Sequence, residues 1–110
     1  MIHQTLEEIE TRLQHDRTLG PAQRAELLRL TATLRAEIAG LAPTHAEAAR
    51  SIAGFAGLSA HEATRGSKDP RLLQLSVQGL AASVTGFEQS HPQLVEIVNR
   101  LCVTLSSLGI

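Results

Sequence analysis

Residues 73–108 read LQLSVQGLAASVTGFEQSHPQLVEIVNRLCVTLSSL and carry the apolar pattern that decides the fold. Apolar side chains recur here in alternating four- and three-residue steps, which is the spacing of a helix seam packed on other helices. His91 occupies the one step that is not apolar, and it keeps the register. The predicted packing and oligomer seam consists of Leu73, Val77, Leu80, Val84, Phe87, Leu94, Val98, Leu101, Leu105 and Leu108.

The composition of the whole chain agrees with helices. Among its 110 residues are seventeen Leu and fifteen Ala, but only two Phe and neither Trp nor Tyr. Leu and Ala are good helix formers, and few segments are rich in β-branched residues. The sequence therefore predicts an all-α fold of four to five amphipathic helices, in a single domain over residues 1–110.

Two of these helices are expected to form an N-terminal αα-hairpin over residues 1–42. The first is predicted over residues 3–18 and the second up to Ala39, each with its own apolar stripe. Gly20 is a helix stop, and Pro21 suits the first turn of the following helix. Because the connection is so short, the two helices are expected to lie antiparallel.

The remaining residues, 44–110, are expected to form the helical, coiled-coil-like C-terminal part. A third helix is predicted over residues 45–65, with Thr44 as its N-cap and Glu47 completing a capping box. Its glycines, Gly54 and Gly57, leave open whether it is one unbroken helix.

The segment RGSKD at 65–69 predicts a loop, after which Asp69 and Pro70 signal the start of a fourth helix. This helix is expected to reach about Glu88, and a fifth is expected to end at Leu108. Gly109 and Ile110 would then close the fifth helix in a Schellman ending.

Ser90, His91 and Pro92 are the most distinctive spot in the sequence. A residue before proline is pushed out of helical geometry, and Ser90 with Gln93 offers capping-box spacing. Two geometries fit the continued register: a kinked rod, or a true break that folds the last two helices into a hairpin. The restricted backbone before proline and two candidate caps, Ser90 and His91, favour the break. We interpret the segment as a helix junction, with a recognition surface or a pH-responsive contact as the alternative.

The string FEQSHPQLVEIVNRLCVTLSSLGI at 87–110 resembles a family of short helical bacterial proteins classed only as a domain of unknown function. The resemblance rests on Phe87, Glu88, Ser90, His91, Pro92, Leu94, Gly109 and Ile110. The stretch at 51–80 is similar to longer members as well. The resemblance implies a shared helical fold, and it brings no known activity, cofactor or partner.

The residues that could catalyse a reaction or bind a metal do not have the spacing of a known catalytic or metal-binding motif. His45 and His61 lie nearly opposite each other on a continuous helix, and Arg65 stands where a zincin-like motif needs its second histidine. The Gly57–His61 segment lacks the final glycine and the preceding strand of a nucleophile elbow. Cys102, the only cysteine, lies beside the seam and is expected to be a buried small hydrophobe. We therefore expect no catalytic residues, no cofactor and no metal site.

The net charge and the lack of a predicted leader segment limit the classes of function that we expect. The formal net charge is −1 and no basic stripe is present, so a nucleic-acid partner is not expected. No polybasic patch or long apolar segment predicts membrane binding, and the lack of a leader favours a cytoplasmic location. We expect a non-enzymatic protein that works by self-assembly, as a dimer or a tetramer, or by contact with an unidentified protein. The alternative is a helical bundle that binds a small molecule or a metal.

Overall fold

The computed structural model describes residues 2–41 and 43–108, apart from the side chain of His3. The predicted all-α fold class is confirmed, because this described part of the chain contains five α-helices and no strand. A short 3-10 turn, Pro43–His45, precedes the third helix. The helices are α1 (Ile2–His15), α2 (Pro21–Ala39), α3 (Ala46–Thr64), α4 (Pro70–Ser83) and α5 (Pro92–Ser107).

The five helices pack in a closed ring around one core. In order around the ring, α1 packs on α3, α3 on α4, α4 on α5, α5 on α2, and α2 on α1. The most extensive of these contacts joins α3 to α4, and α3 also touches α5 across the ring. Buried Leu, Ile, Val and Ala side chains from all five helices form a single cluster. The described residues therefore share one core.

Small residues explain why α3 can contact so many neighbours. Five of its alanines are at most 5% exposed, so adjacent helices can approach its backbone closely. At Gly57, a Cβ atom would lie 3.2 Å from the Thr5 methyl carbon of α1. The helix runs unbroken from Ala46 to Thr64, so Gly54 and Gly57 do not interrupt it. Tertiary packing offsets the roughly 1 kcal/mol of helix propensity that each glycine costs.

Local signals predicted two helix starts correctly. Gly20 is the N-cap of α2, and Pro21 occupies its first turn. Asp69 is the N-cap of α4, where its carboxylate accepts hydrogen bonds from the backbone amides of Arg71 at 3.0 Å and Leu72 at 3.2 Å. In both cases the proline supplies a fixed φ angle where no amide hydrogen is needed.

The fourth helix is shorter than the sequence predicts. It ends at Ser83, whereas the apolar pattern predicts an end near Glu88. Gly86 adopts a φ of +100°, which lies in the left-handed region and cannot continue a helix. The chain then turns, and α5 packs back on α4. The predicted break before Pro92 is therefore confirmed, and the kinked rod is excluded.

Two other predicted helix ends are wrong, and so is one predicted capping box. Thr44 lies inside the 3-10 turn, so His45 becomes the N-cap of α3 and makes no side-chain capping bond. Of the two candidate caps of α5, Ser90 and His91, His91 is the N-cap; it makes no side-chain capping bond, and the capping box predicted at Ser90 is wrong. The first helix stops at His15 rather than residue 18, because the Asp16 carboxylate accepts a hydrogen bond from the Thr18 amide and forms a turn. The predicted Schellman ending at Gly109 and Ile110 lies outside the described residues.

Candidate functional site

The apolar stripe that dominates the sequence lies inside a single chain. Its ten members, Leu73 to Leu108, are each between 0% and 9% exposed. They belong to the same buried cluster as the stripes of α1, α2 and α3. The stripe therefore leaves no free apolar seam for a second chain, and any self-association must use other residues.

The Ser90–His91–Pro92 junction packs against the start of α3. Ser90 and Pro92 are exposed, while His91 is half-buried. The rings of His45, Phe87 and His91 meet edge to face, with centroids 5.3 Å apart for His45 and Phe87, 5.4 Å for Phe87 and His91, and 5.9 Å for the two histidines. Sequence reasoning missed His45 as a partner here.

These ring contacts make the junction a point where three helix ends are fixed together. Edge-to-face aromatic pairs contribute about 0.5–1.5 kcal/mol beyond their burial. The Ser90 hydroxyl lies 2.9 Å from the His91 Nδ1 atom, so it contacts this ring instead of capping α5. The arrangement fits the predicted role of a helix junction.

Groups that could bind a metal or attack a substrate stay apart. The described residues contain no cluster of three or more His, Cys, Asp or Glu side chains. His45 packs on Phe87, whereas His61 contacts Arg12 of α1. Cys102 is buried as predicted, and its burial raises the pKa of the thiol. A raised pKa disfavours the thiolate, which is the reactive form of cysteine.

A groove of about 700 Å³ lies between α2 and α5. Two of its three carboxylates have cation partners within their own helices, while Glu88 accepts a hydrogen bond from the Gly86 amide at 2.8 Å. Glu26 pairs with Arg29 at 2.8 Å, and Glu96 pairs with Arg100 at 3.0 Å. Exposed pairs of this kind are worth at most about 1 kcal/mol and leave little net charge to select a ligand.

The exposed side of the α3–α4 hairpin carries four large apolar side chains, which we call the α3–α4 face. Phe55 is 37% exposed, Leu58 46%, Leu72 43% and Leu75 53%. Each pair is three residues apart on its helix, so its two members lie on the same helix surface. The sequence pattern did not single out these residues, because they lie off the main stripe.

The contact between Phe55 and Gly79 brings these pairs together. The Phe55 ring occupies the space that a Cβ atom on Gly79 would need. Leu75 lies one turn before Gly79 on α4, and Leu72 lies a further turn away. Because α3 and α4 run antiparallel, Leu58 lies at about the same position along the hairpin axis as Leu75. The Phe55 ring therefore packs against the helix that carries Leu72 and Leu75, and all four apolar side chains lie on this pair of packed helices.

Comparison with known proteins adds a family but no activity. The sequence model of a family described as a domain of unknown function, DUF4404, matches residues 2–110. No curated protein and no solved structure matches the chain. Within the described residues, none of the helices combines the length and the hydropathy that crossing a membrane requires.

Proposed function

We propose that this chain, which belongs to the DUF4404 family, is a non-enzymatic helical protein that self-associates by placing the α3–α4 face of one copy against that of another. The observation that carries the proposal is the exposure of four large apolar side chains, Phe55, Leu58, Leu72 and Leu75, on two helices that pack on each other. Single exposed apolar residues are common on proteins, whereas contiguous apolar surfaces mark interaction sites.

The apolar character of the α3–α4 face favours a second copy as the occupant. A dimer with two-fold symmetry uses the same surface on both chains, so that surface must be self-complementary. Two antiparallel hairpins can meet in this way and form a four-helix interface, whose apolar centre needs no charged partner. A standard interface of about 800 Å² per partner would bury about one eighth of the 6394 Å² surface of the chain.

Val103 of α5 provides a useful comparison. It is 72% exposed, more than any residue of the α3–α4 face, but it lies in the α2–α5 groove beside charged residues such as Glu96 and Arg100. Val103 is thus an exposed apolar residue that belongs to neither α3 nor α4. Val103 therefore serves as the matched control position.

The test compares the molar masses of three proteins by light scattering at micromolar concentrations. Wild type should show at least twice the 11.8 kDa of one chain. Leu75→Glu should show the mass of one chain, because a charge buried at the interface opposes association. Val103→Glu should behave as wild type, and circular dichroism should show helical content equal to wild type in both variants.

Two outcomes would contradict the proposal. A wild-type mass near 11.8 kDa would show that the chain does not self-associate under these conditions. A mass that falls in Val103→Glu but not in Leu75→Glu would place the contact on the α2–α5 groove instead.

A further inference from the structure

An open cleft of about 600 Å³ lies between α1 and the C-terminal end of α3, away from the stripe and the ring cluster. Thr11, Arg12 and His15 line it from α1, while His61 and Thr64 line it from α3. Guanidinium, hydroxyl and imidazole groups all donate hydrogen bonds.

Arg12 is held in place across this cleft by neutral partners. Its Nη1 atom donates to Nδ1 of His61 at 3.0 Å and to the hydroxyl oxygen of Thr64 at 3.4 Å. Because a guanidinium has no acceptor, Nδ1 of His61 must accept, which leaves the ring proton on Nε2. The Thr64 hydroxyl hydrogen is directed to the Ala60 carbonyl at 2.7 Å, so its oxygen is free to accept from Arg12.

The charge of Arg12 is not balanced by a carboxylate. Among the described residues, none lies within ion-pair distance of its guanidinium, including Glu8 one turn earlier on α1. Glu62, whose side chain is 7% exposed, pairs with Arg65 at 2.8 Å. The negative charge of Glu62 is therefore already matched by a cation of its own helix.

Asp16 is the other acidic group at the cleft, and it too has partners. Burial would raise the pKa of its carboxyl group, but hydrogen bonds from Thr18 and the charge of Arg24 lower the pKa below its ordinary value. The carboxylate accepts from the Thr18 amide at 2.7 Å. Arg12 thus remains as the cation whose donors are available to a ligand.

We propose that this cleft binds a phosphate group, with Arg12 as its principal ligand and with His61 and Thr11 beside it. A guanidinium presents a planar fork of donors that matches the oxygens of a phosphate, and charge assistance makes such bonds strong. Donors that converge from two helices suit a tetrahedral anion, whose oxygens point in several directions. This site is separate from the α3–α4 face and does not depend on self-association.

The test is a titration of the full-length protein followed by amide chemical shifts. Sodium phosphate is compared with sodium chloride at matched ionic strength, since exposed charges are screened by salt. Shifts that saturate with phosphate, and that cluster at residues 11–16 and 61–66, are expected. A parallel titration with adenosine monophosphate separates two sources of the group: tighter binding of the ester indicates a phosphorylated molecule, and equal binding indicates free phosphate.

Two variants, each of which removes one positive charge, test whether phosphate binding depends on Arg12 itself. Arg12→Gln should weaken phosphate binding by about tenfold or more, which is the size expected for a lost charge-assisted hydrogen bond. Arg50→Gln removes an exposed arginine of α3 outside the cleft lining and should change binding less than twofold. Equal weakening in both variants would overturn the proposal. Failure to saturate by about 10 mM phosphate, well above the ~1 mM of a weak specific site, would also overturn it.

Discussion

Replacing Ser59 with alanine should stabilise the protein, although the change removes a polar group from the middle of α3. Ser59 is 0% exposed, and its hydroxyl oxygen has no hydrogen-bond partner among the described residues. Burying an unpaired hydroxyl costs about 1–3 kcal/mol, because the group loses its hydrogen bonds to water without replacement.

Two smaller effects modify this gain. Alanine has a helix propensity better than serine by up to about 0.5 kcal/mol. The void left by one oxygen atom costs on the order of 0.3 kcal/mol, from about 24 cal/mol per Å³ of cavity. The free energy of unfolding should therefore rise by about 1–3 kcal/mol in Ser59→Ala. With an m-value of about 1–1.5 kcal/mol/M, the urea midpoint should increase by about 1–2 M.

Ser76→Ala is the matched control on the facing helix α4. Ser76 is 3% exposed, but its hydroxyl donates to the Leu73 carbonyl at 2.8 Å, so this variant loses a hydrogen bond. Its stability should stay within about 1 kcal/mol of wild type. Urea unfolding followed by circular dichroism measures both variants. A fall in stability in Ser59→Ala, equal to or larger than that in Ser76→Ala, would refute the reasoning.

Three further predictions concern helix ends and the core. Leu80→Ala should lower the free energy of unfolding by about 2–5 kcal/mol in urea, because Leu80 is 0% exposed; an unchanged midpoint would show that this position is not core. Asp69→Ala should cost about 1 kcal/mol in thermal unfolding through loss of the α4 N-cap, whereas Asp69→Asn should stay near wild type. Because burial raises the pKa of Cys102, a thiol reagent at pH 8 should label the folded protein much more slowly than the denatured chain, and equal rates would contradict this.

Features that depend on neighbouring residues could be predicted from the sequence. Asp69 and Pro70 start a helix for local reasons, and Pro92 breaks one for a local reason. The end of α4 was missed because Val84 and Phe87 continue the apolar spacing. Both are buried in the turn after Ser83. The apolar spacing therefore continues although the backbone there is no longer helical.

The spacing of residues along the sequence did not predict contacts between distant segments. His45 and Phe87 are 42 positions apart, and only the packing of α3 beside the α4–α5 turn brings their rings together. The partner of Arg12 is likewise set by how α1 crosses α3. The α3–α4 face did leave a signal, since Leu72 and Leu75 are apolar but lie off the stripe that contains Leu73.

A dilution series followed by amide chemical shifts tests self-association most directly, because it locates the contact without any mutation. Between high and low micromolar concentrations, shifts should change for residues 54–59 and 71–79 and stay constant for α2 and α5. Constant shifts at all concentrations, with the relaxation behaviour of an 11.8 kDa monomer, would contradict the account. So would changes confined to the α2–α5 groove.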